Sequence, residues 1–213
     1  MKVDDFLKFV LPDVPGCPDD LVRQAIMFTA NRFCIDTQCI DVISDPVQLQ
    51  AGVQDYDMDV LPGMQAITIK SVWTPTRELT PTTMSELNRM LPNWQTATSS
   101  DPSFYNMVKG FGTLTVYPIP AAPLGAPLTF HAVYAPLQFG TVIPDLLVNF
   151  YLDTIAAGAI ARLMITPGQT WSNPQLAVAN KSLYDAGVVS AKIDVMHNRV
   201  PGSIRVRPLR FGG

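Results

Sequence analysis

Charge is scarce in this sequence. Asp, Glu, Lys and Arg make up 15% of the 213 residues, against about a quarter in an average soluble domain. With 47% hydrophobic residues and a net charge of −3, much of the exterior has to be neutral, and a lone molecule with such an exterior adheres to others. The composition points to a subunit that covers its surface against neighbours. Histidine and cysteine are scarcer still, being confined to His131, His197, Cys17, Cys34 and Cys39. No C-x-x-C pair occurs, so neither a zinc site nor a disulfide framework is expected. The cysteines read as small buried apolar residues in a chain that folds in a reducing cytosol. The start, "MKVDDFLKFVLPDVPGCPDD", has no basic segment followed by an apolar run, and no secretory signal is expected. G-x-x-x-x-G-K-[ST] and G-x-G-x-x-G phosphate motifs are missing, and the glycines of "KGFGTL" read as a hairpin turn.

One long apolar run is present. Leu146 to Ile165 is long enough to cross a bilayer, but it carries Asn149, Asp153 and Arg162, and a mid-span Asp or Arg costs roughly 2.5–3.5 kcal/mol on insertion. No membrane association is expected. The run reads as a central packing helix whose small residues Ala156 to Ala161 let another helix approach its backbone.

Helix ends are clearly marked. Pro18 is placed at a first helical position, with Asp19 and Asp20 in the first turn facing the positive end of the dipole. Val22, Ala25, Ile26, Thr29 and Phe33 then recur near a 3.6-residue period. Pro144 and Asp145 open a second long helix in the same way, and Pro167-Gly168 ends it. Asn173 caps a third, with Pro174 at its first position. Its apolar series runs through Leu176, Ala179, Leu183, Ala186 and Ile193 to about Asn198. "VDDFLKFV" reads as a short helix ahead of these.

From Thr37 to Gln138 the character changes. "VQDYDMDVL" alternates Tyr56, Met58 and Val60 against Asp55, Asp57 and Asp59, and "AITIKSVWT", "FGTLTVYPIP" and "PLTFHAVYAP" also read as strands. "TTMSELNRML" reads as a short helix with Glu86 three residues after a Thr83 cap, and "PNWQTATSSDPSFY" as a polar loop. The expected fold is α+β. Residues 1–37 and 143–198 form a small helical bundle, residues 38–142 a sandwich- or barrel-like β insert, and residues 199–213 an extended C-terminal arm.

"PGCPDDLVRQAIMFTANRFCIDT", "IPDLLVNFYLDTIAAGAIARLMITPGQTWSNPQLA" and the β-rich region between them resemble the head-to-tail adaptors of tailed bacteriophages, the head-completion or connector class with tail tubular protein A-like members. The likeness is good over residues 15–37 and 143–190 and loose over the insert. It implies a homo-oligomeric ring, a dodecamer, between the portal protein and the tail nozzle or tail tube proteins. DNA would pass through the ring without specific binding. It also implies a virion component, assembled in the host cytoplasm, whose C-terminal arm reaches the portal.

The remaining chemistry has bland explanations. His131 lies within a strand, where a structural histidine is expected rather than a general base. His197 falls at the end of the last helix, where an imidazolium would complement the dipole. Asp55, Asp57 and Asp59 lack the glycine and glutamate of a calcium loop, with Val60 and Ala66 in their places. Trp73, Trp94 and Trp171 leave open a non-catalytic carbohydrate-binding module, although aromatics serve any core. Another tail or virion subunit is the nearer alternative, and a hydrolase using His131 the most distant. Neither a catalytic role nor a cofactor or metal is expected.

The tail "NRVPGSIRVRPLRFGG" reverses the charge balance, with Arg199, Arg205, Arg207 and Arg210 and no acidic residue after Asp194. Ile204, Val206 and Pro208 alternate with Arg205, Arg207 and Leu209. This pattern suits an arm that adds to a sheet edge or lies in a groove. Arg199, Ile204, Arg205, Val206, Arg207, Leu209, Arg210 and Phe211 are its candidate partner-binding residues, and the resemblance names the portal as partner.

Overall fold

The computed structural model describes residues 2–58, 62–108, 112–121 and 127–197. Helix α1 (Asp4–Val10) buries Phe6, Leu7 and Val10, and a single 3-10 turn (Leu11–Asp13) follows it. In α2 (Asp19–Thr37) the 3.6-residue series Val22, Ala25, Ile26, Thr29 and Phe33 is buried as the spacing requires. The α1 and α2 starts are joined by the Arg23 guanidinium, 2.6 Å from Asp4 and 2.7 Å from Asp20.

Both proline-led helices begin one residue later than the sequence suggests. Pro18 and Pro144 are N-caps with extended ψ of 135° and 138°. The Pro18 carbonyl accepts from the amides of Leu21 (3.0 Å) and Val22 (3.2 Å), so proline serves through its C=O and its missing N–H costs nothing. At the third start the expectation holds, with the Asn173 side chain accepting from the Leu176 amide at 3.1 Å.

The β-rich region holds ten strands among the described residues. Strands β1 (Asp41–Ile43), β2 (Val47–Gln48) and β4 (Met64–Trp73) all pair antiparallel with β10 (Pro127–Pro136). The second sheet runs in the order β3 (Asp55–Asp57), β8 (Thr113–Tyr117), β7 (Phe104–Val108) and β5 (Thr80–Pro81). A parallel pair, β6 (Thr98–Ser99) and β9 (Ile119–Pro120), completes the set. The fold is α+β, and the described strands close into no barrel. The polar loop expected at 92–105 contains β6 and the start of β7, because Phe104 and Tyr105 pair with Tyr117 and Val116. Helix α3 (Met84–Met90) carries the expected capping box, with the Glu86 amide donating to Thr83 Oγ1 and the Thr83 amide to Glu86 Oε2.

Helices α4 (Asp145–Met164) and α5 (Pro174–Met196) return the chain to the bundle. From Ile155 to Met164 nearly every α4 residue is buried, which explains the apolar run as core. The α4 helix has the length and composition of a membrane span, yet α1, α2 and α5 all pack on it. A kink at Tyr151 (φ −133°, ψ 17°) separates this half from the more exposed start. One apolar cluster runs through the helices and both sheets, from Phe6, Ile26 and Ile155 to Phe130, Leu128 and Leu114. Buried Asn31 bridges α2 to the end of β10, donating from Nδ2 to the Pro136 carbonyl at 2.7 Å.

Candidate assembly surface

The α4 and α5 helices approach through missing side chains. A Cβ on Gly158 would lie 2.6 Å from both Thr29 Cγ2 and Tyr184 Cδ2, and one on Gly187 would overlap the Thr154 side chain. The Ala156–Ala161 stretch thus does admit a close neighbour, and that neighbour is α5 of the same chain. This approach decides which face of α5 turns inward. Ala177, Tyr184, Val188 and Ala191 are buried, whereas Leu176, Leu183 and Ile193 of the expected apolar series are exposed. The inward stripe is the one small enough to meet α4 and it includes the single tyrosine that fills the notch at Gly158.

The result is a helix with an apolar outer side. Leu183 is 64% exposed and Met196 78%, and Val178, Val189 and Ile193 are exposed with them.

Beside that outer side a groove of about 420 Å³ opens between α2, α4 and α5, walled by Phe28, Gly158, Arg162, Ile165, Val178 and Tyr184. The Arg162 guanidinium lies over the Phe28 ring, 4.7 Å from its centroid, and Phe28 meets the exposed Phe139 edge-on at 5.5 Å. Arg32 and Lys181 stand at the rim, paired with Asp36 at 2.9 Å and with Asp185 respectively. The Tyr184 hydroxyl is buried and has no hydrogen-bond partner among the described residues. Burial, with the Asp36 charge second, pushes its pKa up to about 12. With the rim cations paired and the Arg162 guanidinium without a carboxylate among the described residues, the groove is suited to an apolar protein surface that carries one. Sequence periodicity missed it, because its walls come from three helices; the one basic residue in the last turn of α4 was the available signal.

Among the described residues, those singled out from sequence do not converge. The tail residues Arg199, Ile204, Arg205, Val206, Arg207, Leu209, Arg210 and Phe211 lie outside the described residues, as do Asp59 and Val60. Asp55 and Asp57 flank buried Tyr56 as the alternation requires and accept from Thr115 Oγ1 (2.7 Å) and Thr113 Oγ1 (3.4 Å). His131 Nε2 is 3.1 Å from Asp41 Oδ2, and the ring stacks on Trp73. Burial acts to raise the Asp41 carboxyl, but the Lys70 hydrogen bond and charge, with His131 added, hold it below the usual range. Trp94 donates to Asn88 Oδ1 at 2.7 Å and packs on Tyr117, while Trp171 packs on the helical core. Each tryptophan has its own neighbours, and the platform of a carbohydrate module gains no support. The turn around Trp171 is held by the Asn173 amide on the Met164 carbonyl at 3.0 Å. Cys17, Cys34 and Cys39 are buried thiols, and none forms a disulfide among the described residues. Cys34 and Cys39 Sγ are 4.0 Å apart where Gln38, at φ 55°, ends α2.

A family model described as SU10 adaptor protein matches residues 1–207. Among curated proteins no match is found.

Proposed function

The chain belongs to the SU10 adaptor protein family, a phage head-tail adaptor family, and from that membership we propose that its copies form a ring between portal and tail that continues the DNA channel. Membership makes it a structural phage protein that interacts with other head or tail proteins. The ring, its dodecameric count, the portal and tail-tube partners and its place at the head-tail junction are our proposal. The observation that carries it is the apolar outer side of α5, where Leu183, Val189, Ile193 and Met196 stand exposed. A chain with so little charge has few other ways to keep such a side out of water than to cover it with protein.

Electrostatics agree with a conduit. An isoelectric point near 5.2 leaves little capacity to neutralise phosphates, each of which would add salt-dependent affinity and drag. Residues 1–37 and 143–198 would build the ring wall, with residues 38–142 projecting from it. The arginines of residues 199–213 would meet carboxylates on the portal, with Phe211 in a pocket there. Electron microscopy of the protein with its portal tests the assignment. A closed ring coaxial with the portal is expected, and portal complexes bearing single, unconnected copies would refute it.

A further inference from the structure

Resting on the oligomeric part of that reading, we propose that the groove between α2, α4 and α5 receives a second copy of this chain, head to tail. The inserting surface is the far side of the same two helices, bearing Phe150 and Asp153 on α4 and Leu183 and Asp194 on α5.

The groove is unfinished as it stands. Tyr184 is 8% exposed and walls the groove, and its hydroxyl is buried with no partner among the described residues. The Arg162 guanidinium lies on Phe28 and has no carboxylate partner among the described residues, so its N–H donors remain free for an acid. Arg32 and Lys181 at the rim are already paired with Asp36 and Asp185, so with Phe28, Ile165 and Val178 in the walls the fitting occupant is an apolar surface with a carboxylate placed for Arg162. That excludes the chain's own tail, since residues 198–213 carry four arginines and no Asp or Glu.

The chain presents such a surface. Asp153 precedes Arg162 by nine residues, about two and a half turns at 3.6 residues per turn, which places it on the opposite side of α4. Both residues follow the kink at Tyr151, so the phase between them is undisturbed. Asp153 is exposed and without an ion pair among the described residues, and Phe150 nearby is 67% exposed. On α5, Leu183 lies about 140° around the helix from the groove residue Val178, and Asp194 comes back to the Leu183 stripe after about three turns. One side of the α4–α5 pair is thus apolar around Arg162, and the other apolar around Asp153 and Asp194. Complementary patches on opposite sides of a subunit make a heterologous contact, which repeats from copy to copy and closes into a ring when the rotation permits.

Cross-linking with a short bis-maleimide tests this on the full chain. Asn149→Cys sits one turn from Asp153 and Ser182→Cys on the groove rim; both sites are exposed, and the native thiols are buried. The double variant should give a ladder of dimers, trimers and larger species, free or portal-bound. Each single variant alone should give none, and the two singles mixed should give dimers only. Arg162→Glu should reduce the ladder at least tenfold with unchanged thermal unfolding. Dimers from one single variant alone would overturn the inference, because a face would then meet itself. An oligomer by sedimentation that yields no ladder would overturn it too, and would leave the oligomeric reading standing. A monomer both free and on portals would remove that reading together with the inference.

Discussion

The ring of Tyr184 fills the notch that Gly158 leaves in α4, with Cδ2 only 2.6 Å from where a Cβ on Gly158 would sit. Thr29 of α2 closes the same notch from the other side, so three helices meet at one missing side chain. Replacing Gly158 with Leu should overpack the junction and cost roughly 1–3 kcal/mol. Chemical denaturation followed by circular dichroism measures this, and an unchanged midpoint would show that the junction yields freely.

Asn31 is the polar tie between bundle and sheet. Its Nδ2 donates to the Pro136 carbonyl at 2.7 Å, and its Oδ1 accepts from Gln138 Nε2 at 3.2 Å. Asn31→Ala strands the buried Pro136 carbonyl, while exposed Gln138 can turn to water, and should destabilise the fold by about 1–3 kcal/mol. Asn31→Asp, which keeps the acceptor and loses the donor, should lose stability as well. The unfolding midpoints of both variants give the test.

Asp41 sets an acid limb. Lys70 Nζ lies 3.0 Å from its carboxylate and His131 Nε2 3.1 Å. Together they outweigh burial and lower its pKa in the folded chain. A lowered folded value means that the stabilisation is fully present above the unfolded value, about 3.9, and is lost as pH falls through the folded one. The group is partly exposed, so solvent screening keeps the effect small. A denaturation series below about pH 4 should fall less steeply for Asp41→Asn than for the natural chain; parallel curves would deny Asp41 this role.

DNA should find no grip on the isolated protein. With a net charge of −3, no measurable duplex binding is expected at physiological salt, because non-specific affinity scales with the phosphates neutralised. Micromolar or tighter binding in a gel shift would contradict a sliding surface.

Deleting residues Pro201 to Gly213 separates folding from docking. Helix α5 ends at Met196, ahead of the cut, so the shortened chain should keep its unfolding transition. It should fail to join DNA-filled heads. Attachment equal to that of the full chain would show that the arm is not the anchor.

Most of the fold was legible because its helices are punctuated by residues with one strong local preference. Asn173-Pro174, Thr83 with Glu86, and Pro167-Gly168 each state a boundary through backbone chemistry that tertiary packing had no reason to override. The short strands β1, β2 and β5 were not legible, since their pairing depends on β10 and β7 and not on their own pattern. The α5 series failed for a related reason. Periodicity shows that Leu176, Leu183 and Ile193 are apolar, but not whether the protein that covers them is their own chain. The groove was invisible for the same cause, as Tyr184 and the free Arg162 guanidinium come from different helices.

The position of β10 has a mechanical consequence. It bonds to β4 along one edge and to β1 and β2 along the other, and it continues through residues 137–144 into α4. That connection is itself pinned by the Lys2↔Val142 bridge and by the Val3 amide on the Thr141 carbonyl at 3.0 Å. A pull that reaches β10 through this connection would load its three neighbouring strands and the N-terminal segment together, instead of one contact at a time.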